Sequence, residues 1–290
     1  MIKHFVEGII PAIVTPFAQD EGLDENSLKN YLDFLKRNGI QTVFALGTTG
    51  EFNMLSMEEK EKFIKALRLS TNLKVIINVT ENSTLNALKL AKLAAEVGAD
   101  GIASLPPIYH KPSEKGIIGY FESLSKFGIP LYLYNYDGRA YIELDLVRRL
   151  VREGIIDGVK LTTEKLPLLQ RYVELKQEGN PFYVTIGNDE LIYYAVMSGA
   201  DGAVSATANV APELVLKLFK LLKEGNCKEA LEVQRAVTML TRAISDGDYP
   251  AGVKVALKYR GIYVGTVRKP LEEKMEQNSV IYATLKELNL

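Results

Sequence analysis

Lys160 ends a short apolar run, Gly154-Ile155-Ile156-Asp157-Gly158-Val159-Lys160, of the kind that forms a buried strand. An amine there is awkward unless it is used. An unperturbed lysine titrates near ~10.4, so only about one molecule in a few thousand is neutral at pH 7. Burial disfavours the ammonium; a pKa brought down to ~7 raises the nucleophilic fraction roughly a thousandfold. The chemistry open to such a group is a Schiff base with a carbonyl substrate. The commoner alternative is a strand-end lysine whose tip merely reaches solvent.

The elements that must position this lysine are legible from periodicity. Short β-branched runs fall at residues 9–14, 42–46, 74–79, 101–104, 130–134, 157–160, 182–186 and 202–205. Amphipathic stretches lie between them at 26–37, 57–69, 84–97, 114–127, 144–152, 166–177, 191–198 and 212–223. In the first, Leu28, Tyr31, Leu32 and Leu35 form one stripe. Ser56 followed by Glu58 and Glu59 caps the second and suits its dipole. Eight strand/helix units predict an α/β fold, a (β/α)8 TIM barrel over residues 1–225. The echo of Gly98-Ala99-Asp100-Gly101 in Gly199-Ala200-Asp201-Gly202 reads as one αβ loop used twice, its first glycine ending the helix. Residues 226–290 change character, with helical patterns at 227–244, 253–259 and 272–288, and are expected as a C-terminal helical extension packed on the barrel. An open doubly wound sheet is disfavoured, because Thr15-Pro16-Phe17-Ala18 follows the first strand where a Gly-rich phosphate turn belongs.

In such a barrel the site is built beyond the carboxyl ends of the strands. Strand 2 ends in Gly47-Thr48-Thr49-Gly50-Glu51, whose N–H groups and hydroxyls suit an anion such as a carboxylate. The stiff loop after strand 4, Pro106-Pro107-Ile108-Tyr109-His110, aims Tyr109. Strand 5 brings Tyr134, Asn135 and Tyr136, then Asp137-Gly138-Arg139; strand 6 brings Lys160 and Thr162. Strand 7 runs into Asp189 and strand 8 into Ser205. Lysine, anion turn and tyrosine on one face describe carbonyl chemistry on a keto acid. Each has a plain structural reading too: a capped βα turn, a packing tyrosine, a surface pair between Arg139 and Glu143.

Composition removes other classes. With 35 basic and 36 acidic residues the chain lacks the excess that neutralises nucleic-acid phosphates. The single cysteine, Cys227, excludes an intramolecular disulfide and fits a reducing compartment, here expected to be the cytoplasm. No apolar run approaches the ~20 residues that span a bilayer, and no membrane partner is expected. The two histidines, His4 and His110, are too few for a histidine-rich metal centre, and no calcium loop or serine-hydrolase elbow occurs.

Several ordered motifs carry a resemblance. They are Gly8 to Phe17 (GIIPAIVTPF), the GTTGE turn, the YNY run, Gly158-Val159-Lys160, Ser205 to Asn209 (SATAN), Tyr249 to Lys254, and Arg268-Lys269-Pro270. Together they resemble the dihydrodipicolinate synthase / N-acetylneuraminate lyase superfamily of class I pyruvate-dependent aldolases, over nearly the whole chain. The resemblance implies that Lys160 captures the C2 carbonyl of pyruvate. It implies that Thr48 and Thr49 bind the carboxylate and that Tyr134 shuttles the proton at the aldol oxygen. Thr48 and Tyr109 relay that proton, Tyr109 from a neighbouring subunit, in an expected homotetramer built as a dimer of dimers. No metal or organic cofactor is implied, since the iminium is the electron sink.

For the second substrate the residues divide. Tyr136, Thr162 and Asp189 resemble positions that contact sugar hydroxyls in 2-keto-3-deoxygluconate aldolases. Arg139 resembles the arginine that binds the aldehyde's carboxylate in dihydrodipicolinate synthases, but Asp137 replaces a proline there and is expected to loosen the turn. Leu161 departs from the acidic residue usual in both groups. The expectation is reversible cleavage of a 2-keto-3-deoxy sugar acid to pyruvate and an aldehyde. Condensation of pyruvate with aspartate semialdehyde comes second and sialic acid cleavage third. A keto-acid-binding regulatory barrel is the alternative without turnover.

Overall fold

The computed structural model describes residues 7–178 and 181–290, so His4 lies outside the described residues. Among these residues eight strands form one parallel sheet: β1 (Gly8–Pro11), β2 (Thr42–Ala45), β3 (Lys74–Asn78), β4 (Gly101–Ser104), β5 (Leu131–Tyr136), β6 (Gly158–Thr162), β7 (Tyr183–Ile186) and β8 (Gly202–Ser205). Their hydrogen-bonded order is β1-β8-β7-β6-β5-β4-β3-β2. Ala12, just past β1, bridges Phe44 of β2 in parallel, which gives β1 a neighbour on each side. This is the topology of a (β/α)8 barrel. Helices α1 (Glu25–Arg37), α2 (Met57–Ser70), α3 (Thr84–Glu96), α4 (Glu114–Ser125), α5 (Leu144–Arg152), α6 (Leu166–Glu174), α7 (Ile192–Met197) and α8 (Pro212–Lys223) follow the strands in turn. No helix of the described residues is long and apolar enough to cross a membrane.

Contacts group the chain into two compact units. One holds residues 7–8 and Val75–Val204, the other Ile9–Lys74 and Ser205–Leu290.

In the first unit one device recurs at the loops that feed the strands. The carboxylates of Asp100, Asp157 and Asp201 accept the backbone N–H of Val75, Leu131 and Val184, at 2.9, 2.8 and 2.8 Å. Each gives a partner to an N–H that the ladder leaves over at a strand's start. The repeated Gly-Ala-Asp-Gly loop is therefore more than a short connection. Gly98 and Gly199 take φ of 74° and 103°, the left-handed conformation that ends a helix without a Cβ penalty. Two strands run further than the pattern predicts. β5 continues to Tyr136 and β6 to Thr162, because Tyr136 pairs with Thr162 and the Asp137 N–H reaches Thr162 O at 2.9 Å. Lys160 and Tyr134 thus sit two residues inside the strand ends.

In the second unit, Leu28, Tyr31, Leu32 and Leu35 of α1 are all buried. The α2 cap forms as a full capping box between Ser56 and Glu59. Beyond α8 come α9 (Cys227–Ser245), α10 (Ala251–Tyr259) and α11 (Met275–Glu287). The helical pattern does not hold throughout. Residues 260–274 form an irregular segment in which Val264 O accepts the Phe17 N–H and Arg268 approaches Glu51.

Candidate active site

The register of β5 and β6 sets Tyr134 opposite Lys160 and Tyr136 opposite Thr162. Alternate residues of a strand share a face, so these four side chains form a two-by-two patch. The Lys160 amine lies 3.9 Å from the centre of the Tyr134 ring, and the Tyr134 and Tyr136 rings stack at 6.0 Å. Lys160 is 6 % exposed. Burial drives its pKa down to about 7, against an opposing pull from the Asp189 carboxylate. The ring face also favours the ammonium, so burial outweighs two contrary effects. Near neutral pH about half the amine is free to attack a carbonyl, against a few parts in ten thousand for an ordinary lysine.

β7 supplies what lies beside the lysine. At Gly187 a Cβ would overlap Thr162 Oγ1 and come within 3.0 Å of Lys160 Cε. Only glycine fits there without displacing them, a constraint that the sequence pattern does not reveal. Asp189, two residues on, is buried. Thr162 Oγ1 is buried and lacks a hydrogen-bond partner.

The loop after β5 carries Arg139. Asn135 is fully buried and ties this loop down, exchanging two hydrogen bonds with the Ile142 backbone at 2.9 Å and donating to Tyr172 Oη at 2.7 Å. Where a proline is missing, side chains hold the turn instead. Asp137 accepts from Thr163 Oγ1 at 3.0 Å and pairs with Lys165 at 3.0 Å, while Tyr136 and Ala140 bridge the turn. Arg139 is exposed, with its guanidinium 5.2 Å above the Tyr136 ring. Among the described residues no ion pair joins it to Glu143. Tyr109 is 83 % exposed, edge-on to His110, with its N–H and that of Ile108 held by Asn82 Oδ1 at 3.0 Å. The chain does not bury it with Lys160 and Tyr134.

The second unit holds the turn Gly47–Glu51. Thr48 is half-buried and Thr49 buried, its hydroxyl 2.6 Å from Tyr249 Oη. Ser205 Oγ accepts the Ala208 N–H at 2.9 Å and so caps the turn after β8. That bond gives Ser205 a local structural job within the turn. Glu51 ends the turn buried against Lys254, a partnership that two hundred residues of separation conceal in the sequence.

Comparison with known proteins agrees with this construction. The model of the dihydrodipicolinate synthetase family matches residues 5–287. A 4-hydroxy-tetrahydrodipicolinate synthase of Methanothrix thermoacetophila is 34 % identical over 274 residues, covering 93 % of this chain and 92 % of the relative. The crystal structure of dihydrodipicolinate synthase from Thermotoga maritima superposes with a TM-score of 0.92 at 30 % identity, over 99 % of both chains. YagE, a prophage protein of the same family from E. coli K12 crystallised with pyruvate, gives 0.94 at 26 % identity, over 99 % of this chain and 100 % of its own. With its eight-stranded parallel sheet and a buried, half-neutral lysine facing a tyrosine, the chain belongs to the dihydrodipicolinate synthetase family and is an enzyme of the lyase class.

Proposed function

We propose that the protein is a Schiff-base aldolase acting on pyruvate, with aspartate semialdehyde as the aldehyde partner. The observation that carries the first half is the buried Lys160 amine, its pKa near 7, against the Tyr134 ring. The neutral amine adds to the C2 carbonyl of pyruvate, and with uptake of one proton water leaves, giving an iminium. Loss of a methyl proton gives the enamine, whose C3 attacks the aldehyde while Tyr134 delivers the proton to the new alkoxide. Thr48 and Thr49 hold the pyruvate carboxylate. Tyr109, exposed and held on its loop, serves a neighbouring copy, so the working protein is at least a dimer and by family resemblance a dimer of dimers. A monomer with full activity would remove that role.

The choice of acceptor reverses the expectation from the residues alone, which put sugar acids first. Relatives about a third identical over nearly the whole chain carry the synthase name, and Arg139 is a cation free to meet a carboxylate. A sugar-acid lyase remains the second reading on one observation: Thr162 Oγ1, buried without a partner beside Tyr136, suits a substrate hydroxyl.

Borohydride reduction with pyruvate should add one reduced pyruvate to the chain, at Lys160, and none to Lys160→Ala. Modification elsewhere sinks the assignment. For the acceptor, turnover of pyruvate with aspartate semialdehyde is compared with pyruvate plus glyceraldehyde. Under the proposal the first is faster and Arg139→Ala costs at least about tenfold, the scale of a lost charge-assisted bond. Faster sugar-acid chemistry that fails in Thr162→Val selects the second reading.

A further inference from the structure

The turn Gly47–Glu51 leans on partners that the reaction does not use, all within its own unit. Thr15 Oγ1 donates to Gly50 O at 2.7 Å. Glu51 adopts the left-handed conformation, φ 56°, with its side chain 1 % exposed. Its Oε1 pairs with Lys254 Nζ at 2.8 Å, and its Oε2 accepts the Arg268 N–H at 2.8 Å. Lys254, on α10, has no exposed side-chain surface. Its ammonium also donates to Thr15 O at 2.9 Å and Thr266 O at 2.8 Å, and lies 4.2 Å from the centre of the Phe17 ring. Two carbonyls thus accept from the ammonium, and the Glu51 carboxylate meets it as an ion pair.

A buried ion pair is poor value as a source of stability, since apolar side chains of similar volume usually do as well or better. Left-handed backbone at a non-glycine residue is a further cost of about 1 kcal/mol or more. Both costs fall on the last residue of the anion turn. One ammonium joins the residue that closes that turn, Glu51, to the residue that braces it, Thr15, and to the segment after α10. We infer that Lys254 is a positioning residue for the carboxylate-binding turn: through Glu51 and Thr15 it fixes where the Thr48 and Thr49 hydroxyls and N–H groups stand. This rests on the reading that the turn holds the carboxylate of pyruvate.

The test uses the full chain and two ketones, pyruvate and acetone, the second lacking the carboxylate. For each, the concentration giving half-maximal borohydride-trapped adduct at Lys160 is measured alongside the unfolding midpoint. In Lys254→Met the pyruvate value should rise about tenfold or more while the acetone value stays within about twofold, the signature of lost anion contacts. Adding Glu51→Gln removes the stranded charge and should recover thermal stability without recovering pyruvate affinity. An unchanged pyruvate value, or pyruvate and acetone weakening together, overturns the positioning role. Pyruvate affinity that returns with stability in the double variant does the same. If Lys254→Met fails to fold, Glu51→Gln alone keeps the shape and the Arg268 bond, and the same split between ketones is expected and decides. Thr48→Val/Thr49→Val is the control for the turn. Its failure to weaken pyruvate selectively sinks the carboxylate reading itself, whereas a null result confined to Lys254 and Glu51 sinks only the inference.

Discussion

Tyr134 and Lys160 are register partners on β5 and β6, and the lysine amine lies 3.9 Å from the tyrosine ring centre. The pairing puts the amine under an aromatic face and away from water. Under the proposed function the same pairing sets the Tyr134 phenol beside the carbon that the amine would hold. Burial prevails over the ring and over Asp189, and the amine becomes half neutral near pH 7.

The first prediction is a pH profile. The neutral amine is the reactive form, so the rate of pyruvate trapping should rise as pH passes about 7 and level off above it. Asp189 favours the ammonium and raises the pKa, so Asp189→Asn should move the rising limb to lower pH. A limb that moves upward, or not at all, would show that Asp189 does not govern this amine.

Tyr134→Phe removes one hydroxyl and keeps the ring over Lys160. Pyruvate capture should persist, while carbon–carbon bond chemistry falls by about 10²-fold or more, the usual scale for a lost proton-transfer group. The measurement is kcat beside trapping yield. An unchanged kcat removes Tyr134 from proton transfer.

Gly187→Ala puts a methyl into space already occupied by Thr162 Oγ1 and close to Lys160 Cε. Overpacking of this kind costs about 1–3 kcal/mol and shifts neighbouring rotamers. The expected outcome is a lower unfolding midpoint together with slower adduct formation on Lys160. Thr162→Ala should relieve the clash in part, and failure of that rescue would put the strain elsewhere.

The loop that carries Arg139 gives a fourth test. Asp137 ties it to Thr163 and Lys165, mostly at the surface, so Asp137→Ala should cost no more than about 1 kcal/mol of stability. Under the proposed function, in which Arg139 on this loop meets the aldehyde's carboxylate, its effect on KM for the aldehyde should exceed its effect on pyruvate. Equal changes in both would make Asp137 a general support.

Sequence periodicity by itself determined the strand and helix alternation and the barrel topology, while the ordered motifs and their family resemblance singled out Lys160 and Tyr134 as candidates. The alternation and topology follow from local rules: two-residue alternation, helical stripes such as Leu28-Tyr31-Leu32-Leu35, and caps such as Ser56–Glu59. What only the tertiary structure decided are relations between distant segments. The depth of Lys160 depends on the Tyr136–Thr162 pairing that lengthens β5 and β6 past the apolar run. The need for glycine at 187 depends on Thr162, a side chain of the neighbouring strand β6. Asp137 reads as a lost proline until Thr163 and Lys165 come beside it. The irregular course of 260–274 follows from bonds to Phe17 and Glu51, which no helical pattern announces. Lys254 reads as one more helical lysine until Glu51, 203 positions earlier, meets it in the buried interior. Local propensity is a property of neighbours in sequence, whereas burial, charge pairing and close approach belong to neighbours in space.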